Sequence, residues 1–424
     1  MSGRLRQILI SLAPGILVAA TGVGSGDLIT AAFAGSRVGA GLAWAAVVGS
    51  VLKWFLNEGL ARWQMATETT LLEGWHEQLS KWVRYVFFGY LLIWAFVTGG
   101  AMVNACGVAG LALFPIGDDP ARAKIIWGVV HSIVGLVFVL LGGFRLFERV
   151  MGVCIGVMFV TVLVTAALII IRRDAAADLA SLQFPTDPSG RKWLLGVLGG
   201  VGGTVTLLSY GYWIREEGRR GADGVRASRI DLAAGYAMTG LFGVAMILIG
   251  SQLSLSGGGD SVALQLAEQL QNAVGTAGPV CRWVFLIGFW GAVFSSLLGV
   301  WQSTPYFFTD LILLGRRHTA QERRMIVYDR TTTYRVCLVL ISIVPLILLW
   351  QPSATIQLAY TVLGAFFMPF LALTLLLLNN SRAIPREFRS GHLTNAALVI
   401  TLCFFGYQGG LEIYETIVRA STGS

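Results

Sequence analysis

The chain has 424 residues, 55% of them hydrophobic and 13% charged, where ordinary soluble domains carry roughly 25% charged residues. Long apolar runs recur from end to end, which excludes a soluble enzyme or nucleic-acid binder and describes an integral membrane protein without a separate soluble domain. The net charge of +8 reads as a topology signal, because the basic residues cluster in short loops.

Taken in order, the apolar runs predict eleven spans, at about 8–34, 41–63, 83–114, 123–143, 150–171, 193–214, 231–255, 280–312, 333–350, 354–378 and 392–417. The first run is too long for a secretory signal, and no small-residue cleavage site closes it. Inside it, Thr21–Thr30 reads T-G-V-G-S-G-D-L-I-T. Gly22, Gly24 and Gly26 weaken a helix at mid-depth, because glycine loses most backbone entropy when ordered. Backbone that leaves the helix there is tolerated only when buried in protein or lining a wet cavity. Asp27 follows at once, and an acid at membrane depth is a functional residue by default. The plainer alternative is a close-packing glycine face with Asp27 capping a half-helix.

Five spans later the pattern returns. Gly199, Gly200, Gly202 and Gly203 precede Thr204, Thr206 and Ser209. Glycine-interrupted segments at matching positions in two halves point to a transporter with inverted repeats and a site at the midplane. Between the spans, Gly117–Pro120, Phe184–Pro188 and Ser256–Asp260 carry turn residues. Ser261–Ala273 has amphipathic spacing, which predicts a helix lying on the membrane surface. Of the 31 Lys and Arg residues, 21 fall on one side of this topology and nine on the other, with Lys53 inside span two. The rule that positive loops stay inside then places the amino terminus in the cytoplasm and the carboxyl terminus outside, in a plasma (inner) membrane.

Other polar residues within spans are few. Lys53 and Glu58 on span two pair with other helices or snorkel toward the interface. Asn104 and Thr361 read first as interhelical hydrogen bonders. His131 reads as packing rather than a proton relay. Tyr210, Tyr212 and Trp213 read as core and interfacial packing, with a cation-stacking cage as the alternative. The five cysteines lie scattered in apolar segments without C-x-x-C spacing and read as small core residues.

Several stretches resemble motifs of the Nramp family of divalent-metal transporters, in the amino acid–polyamine–cation superfamily. A-P-G-I-L-V-A-A (Ala13–Ala20) is similar to the family's G-P-G-F-L opening, and G-S-G-D-L-I-T (Gly24–Thr30) stands in place of its Asp-Pro-Gly-Asn motif. A-R-W-Q-M-A-T-E (Ala61–Glu68), F-S-S-L-L-G (Phe294–Gly299), M-P-F-L-A-L (Met368–Leu373) and N-N-S-R (Asn379–Arg382) resemble further family motifs. The resemblance implies an all-α polytopic fold: a 5+5 inverted-repeat bundle of the leucine-transporter type plus one extra helix. Its repeats would cover 8–171 and 193–378, with the extra span at 392–417, in one membrane domain that works as a monomer and needs no resident cofactor. By alignment the site takes the Thr21 and Gly203 carbonyls and the Asp27 and Thr206 side chains, with Gly24, Ser25, Ser209 and Thr361 beside them. Asp27 and Thr206 would touch a metal.

The departures fall where the family's chemistry sits. Its metal-binding Asp and Pro align with Gly24 and Ser25, its Asn with Asp27, and its Met-Pro-His with Thr206, Leu207 and Leu208. Its acidic pair in span three aligns with Ala101 and Asn104. A thioether favours soft and borderline ions, whereas hydroxyl, carbonyl and carboxylate oxygens favour hard ones. The expectation is therefore a cation transporter with an oxygen-rich site, Mg or Mn leading, that is not coupled to protons. A transporter of a small organic solute, an amine or amino acid, is the alternative. A non-transporting sensor is a third reading, disfavoured because such proteins usually carry a long soluble output domain. No nucleophile–base pair or phosphate loop points to an enzyme.

Overall fold

The computed structural model describes residues 24, 26–142, 144–173, 180–253, 259, 261–274, 277–315, 322 and 326–422. Among them the regular structure is helical throughout. After a π-helical turn at Gly26–Thr30 come α1 (Ala31–Val38), α2 (Ala43–Thr67), α3 (Lys81–Leu113), α4 (Pro120–Leu141), α5 (Phe144–Arg173) and α6 (Pro188–Gly200). The chain continues with α7 (Ser209–Glu216), α8 (Gly221–Ser251), α9 (Val262–Val274), α10 (Gly278–Leu314), α11 (Thr332–Ile343), α12 (Ser353–Asn379) and α13 (His392–Thr422).

Local chemistry sets the ends. Asp119 accepts the Ala121 N–H at 3.0 Å with Pro120 opening α4, and Asp187 accepts the Gly190 N–H at 2.8 Å with Pro188 opening α6. Each pair supplies an oxygen to an orphan donor and a ring at the one helical position that needs no N–H. Thr331 caps α11 through its hydroxyl, which accepts the Tyr334 N–H at 3.2 Å, and α4 stops at Gly142, whose φ of +68° is left-handed.

Among the described residues, nine helical stretches are long and apolar enough to cross a membrane. They match the spans predicted second to tenth. The sixth is α6 and α7 taken together, Pro188–Arg215. Span one enters the described residues only at its end, as the apolar stretch Leu28–Val38, and span eleven corresponds to α13. In the bundle α8 lies along α1 and α2, α3 packs between α4 and α10, and α6 lies against α12. The α1–α8 contact is backbone on backbone: a methyl added at Gly35 would stand 2.0 Å from the Ile247 carbonyl oxygen, and one at Gly250 would stand 2.1 Å from that of Ala32.

The helix predicted to lie on the membrane surface is corrected here. α9 forms where expected, but Val262, Ala263, Leu266, Ala267 and Leu270 are buried, and the helix packs on α10, α5 and α3. An apolar stripe is the same whether lipid or protein covers it, and here protein covers it.

Candidate transport site

Span six is broken as its glycines predict. α6 ends at Gly200, Gly202 and Gly203 take φ of +81° and +89°, and a short 3-10 turn at Val205–Leu208 leads into α7. Left-handed backbone costs an L-residue roughly 1–2 kcal/mol, so two adjacent glycines make the break affordable. The Gly203 N–H reaches back to the Gly200 carbonyl at 3.1 Å, and the Thr204 N–H to the Thr206 hydroxyl at 3.3 Å. The Thr204 hydroxyl accepts the indole N–H of Trp94 in α3 at 2.9 Å. Gly364 of α12 leaves the room that this threonine fills, since a methyl there would stand 2.2 Å from Thr204 Cγ2.

A lysine enters the break from the side. Lys53, 1% exposed, donates from Nζ to the Gly199 carbonyl at 2.7 Å and to the Val201 carbonyl. Both carbonyls belong to the end of α6, where a helix leaves oxygens unpaired and carries partial negative charge. Snorkelling is thus excluded for Lys53, which pairs with another helix.

The predicted site residues separate into groups. Gly203 and Thr206 lie together in the break. Gly24 is buried in a turn, and its carbonyl accepts the Leu28 N–H at 2.9 Å. Thr21 and Ser25 lie outside the described residues, as does the side chain of Asp27. Thr361 packs against α6 at Gly196 and Gly199, but its hydroxyl donates to Gln357 and Leu358 of its own helix at 3.0 and 3.1 Å. Ser209 belongs to a different place, a cavity with room for about one water beside Tyr212, Gln302, Ser303 and Tyr306. Neither its hydroxyl nor that of Ser303 has a partner among the described residues.

The residues read as structural behave so. Asn104 accepts from Ser353 at 2.6 Å and donates to the Gln351 carbonyl at 3.2 Å. His131 is held between the Trp127 carbonyl and the Trp290 indole, each at 2.7 Å. Tyr210 donates to Asp231 at 2.8 Å.

At the end of the bundle where α2 and α7 finish and α8 begins, charges are buried and paired. Glu58, 1% exposed, receives Arg62 of its own helix and, at 2.8 Å, Arg229 of α8. Arg219 bonds Asp231 at 2.7 Å. Asp310 of α10 is a functional-site candidate missed in sequence, although a lone acid inside the eighth span is a visible signal. It is fully buried and accepts from Thr70 at 3.0 Å, Tyr212 at 2.7 Å and Tyr328 at 3.2 Å. Burial pushes the Tyr328 phenol above its ordinary range, and the Asp310 and Glu73 carboxylates add to the shift. Tyr328 therefore stays protonated and donating through neutral pH. The opposite end holds a cavity of about 560 Å³ bounded by Arg37, Gln183, Asp187 and Trp193.

A helical bundle whose sixth span breaks at mid-length around polar backbone has the architecture of the inverted-repeat secondary transporters. The chain belongs to the natural resistance-associated macrophage protein-like (Nramp) family, whose model matches residues 15–413. Its fold is similar to that of the Eremococcus coleocola manganese transporter. A mutant of that protein with one histidine changed to alanine aligns with a TM-score of 0.73 and 16% identity over 99% of this chain and 89% of the other. A second mutant, with one glutamate changed to alanine, aligns with 0.74 and 17% over the same shares. MhsT in complex with L-phenylalanine aligns with a TM-score of 0.55 and 15% identity over 92% of this chain and 97% of that one. None of the curated proteins matches the chain.

Proposed function

We propose that the protein is a monomeric secondary transporter of the plasma membrane, its amino terminus cytoplasmic, that carries a small cation through the broken sixth span. A divalent metal is the leading cargo, Mg or Mn foremost. The observation that supports this reading is the break itself: the Gly203 carbonyl and the hydroxyls of Thr204 and Thr206 lie in it, with Leu207 and Leu208 in place of any imidazole. Oxygen donors suit hard ions, and a hydrated Mg ion needs only one or two carboxylates, a role left to Asp27. Membership of the Nramp family and the likeness to a manganese transporter support the same cargo class. Uptake of radioactive manganese, and of magnesium reported by an entrapped dye, into proteoliposomes tests it. Asp27→Asn is expected to abolish uptake with unchanged yield of folded protein; equal uptake by mutant and wild type would sink the assignment.

Transport is further proposed to proceed without proton coupling. Gly24, Leu208, Ala101 and Asn104 cannot titrate, and a lone carboxylate that protonates and binds cargo makes the two compete. The Ala101 carbonyl accepts from Gln357 at 2.8 Å, a structural use of that stretch of α3. A metal-dependent acidification of the vesicle lumen that Asp27→Asn removes would overturn this part.

One observation favours a second reading, a small organic solute. The Lys53 amine reaches the break, and positive charge so placed would repel a dication and attract a carboxylate. Saturable uptake of a labelled amino acid, uninhibited by manganese or magnesium, would establish it.

A further inference from the structure

Broken helices in transporters present unwound carbonyls and half-helix C-termini to bound cations. At the end of α6 the corresponding oxygens already have one. The Lys53 ammonium lies 2.7 Å from the Gly199 carbonyl and also bonds that of Val201. It is buried to 1% exposure, and its stem passes Gly202, where an added methyl would come within 3.5 Å of Lys53 Cδ. The Gly203 N–H, which a continued helix would aim at the Gly199 carbonyl, goes to the Gly200 carbonyl at 3.1 Å instead.

We infer that the Lys53 ammonium is a resident cation at the end of α6, occupying through the Gly199 and Val201 carbonyls a site that would otherwise bind a free monovalent cation. A primary ammonium and a small alkali ion share the needed chemistry: one positive charge and several oxygen neighbours. Tethered by α2, the charge cannot leave. The break therefore stays assembled in both loaded and empty protein without sodium or potassium, and no second cation travels through this site.

The test uses melting of the purified full chain, which needs no cargo and so fails or succeeds apart from the function proposed above. Wild type, Lys53→Ala and Lys53→Met are melted at fixed ionic strength in choline, sodium, potassium or ethylammonium chloride. Wild type is expected to melt at one temperature in all four. Lys53→Ala, which opens the pocket, is expected to melt lower in choline and to recover by at least about 2 °C in sodium, potassium or ethylammonium, the scale on which a bound ligand shifts a chain of this length. Lys53→Met refills the space with an uncharged chain and is expected to melt low with no recovery. A Lys53→Ala protein equally unstable in every salt would overturn the inference, reducing Lys53 to an ordinary helix cap. Should that variant fail to fold, wild type decides alone. Stabilisation by sodium or potassium over choline, or cargo uptake that requires either ion, overturns the proposal; indifference to both upholds it.

Discussion

Single residues, one at the break and one at the buried end of α10, make two separable expectations. The resemblance aligns Thr206 with the family's thioether, and on that alignment only the donor atom's softness argues for a change of cargo. Thr206→Met is expected to raise cadmium uptake relative to magnesium, read as the ratio of competing ions in proteoliposomes. An unchanged ratio would mean that Thr206 does not touch the cargo. Asp310 makes the second. Its carboxylate takes Thr70, Tyr212 and Tyr328, and bonds to a charged group contribute about 1.5–3 kcal/mol each, not additively. Asp310→Ala would leave three buried hydroxyls with no acceptor and is expected to lower the melting temperature by several degrees. Tyr212→Phe, which removes one donor, is expected to cost less. At this scale the sequence was only partly readable. A charged residue inside a span is visible, but its partner is not: nothing within span two says that Lys53 ends at the carbonyls of α6, some 146 residues away.

Elements were more legible, because glycine and proline act locally. The four glycines of Gly199–Gly203 located the break to within a residue or two, since left-handed backbone needs them wherever the helix stops. Gly202→Ala is expected to destabilise by roughly 1–2 kcal/mol from φ alone, and its methyl would also press Tyr236 at 3.0 Å. A melting temperature equal to wild type would show that the break relaxes elsewhere. Asp119-Pro120 and Asp187-Pro188 read in the sequence only as turns, and the helices they cap begin a few residues before the predicted spans, at Pro120 and Pro188. The cover of α9 could not be read, because periodicity reports an apolar face and says nothing of what lies on it. Of the break expected in span one, only Gly24 and the turn that begins at Gly26 lie within the described residues.

Over the whole molecule, the order of spans followed from hydropathy, while the clustering of buried charge at one end did not. Glu58 binds Arg62 and Arg229 there, and Arg62 also donates to the carbonyls of Phe388 and Arg389 at 3.4 Å. Glu58→Gln strands buried guanidinium charge, which costs about 3–5 kcal/mol. Arg229, with a side chain 48% exposed, makes a partner that solvent can largely replace. Glu58→Gln is therefore expected to depress folded yield far more than Arg229→Ala, measured as monodisperse protein after extraction. Equal yields would show that the pairings at this end are dispensable. The backbone contact between α1 and α8 has a mechanical consequence of its own. With Gly35 on Ile247 and Gly250 on Ala32, the two helices have no layer of side chains to slide upon. They are expected to move as one body, so that a widening of the cavity beside Trp193 would swing other helices about this pair as a fulcrum.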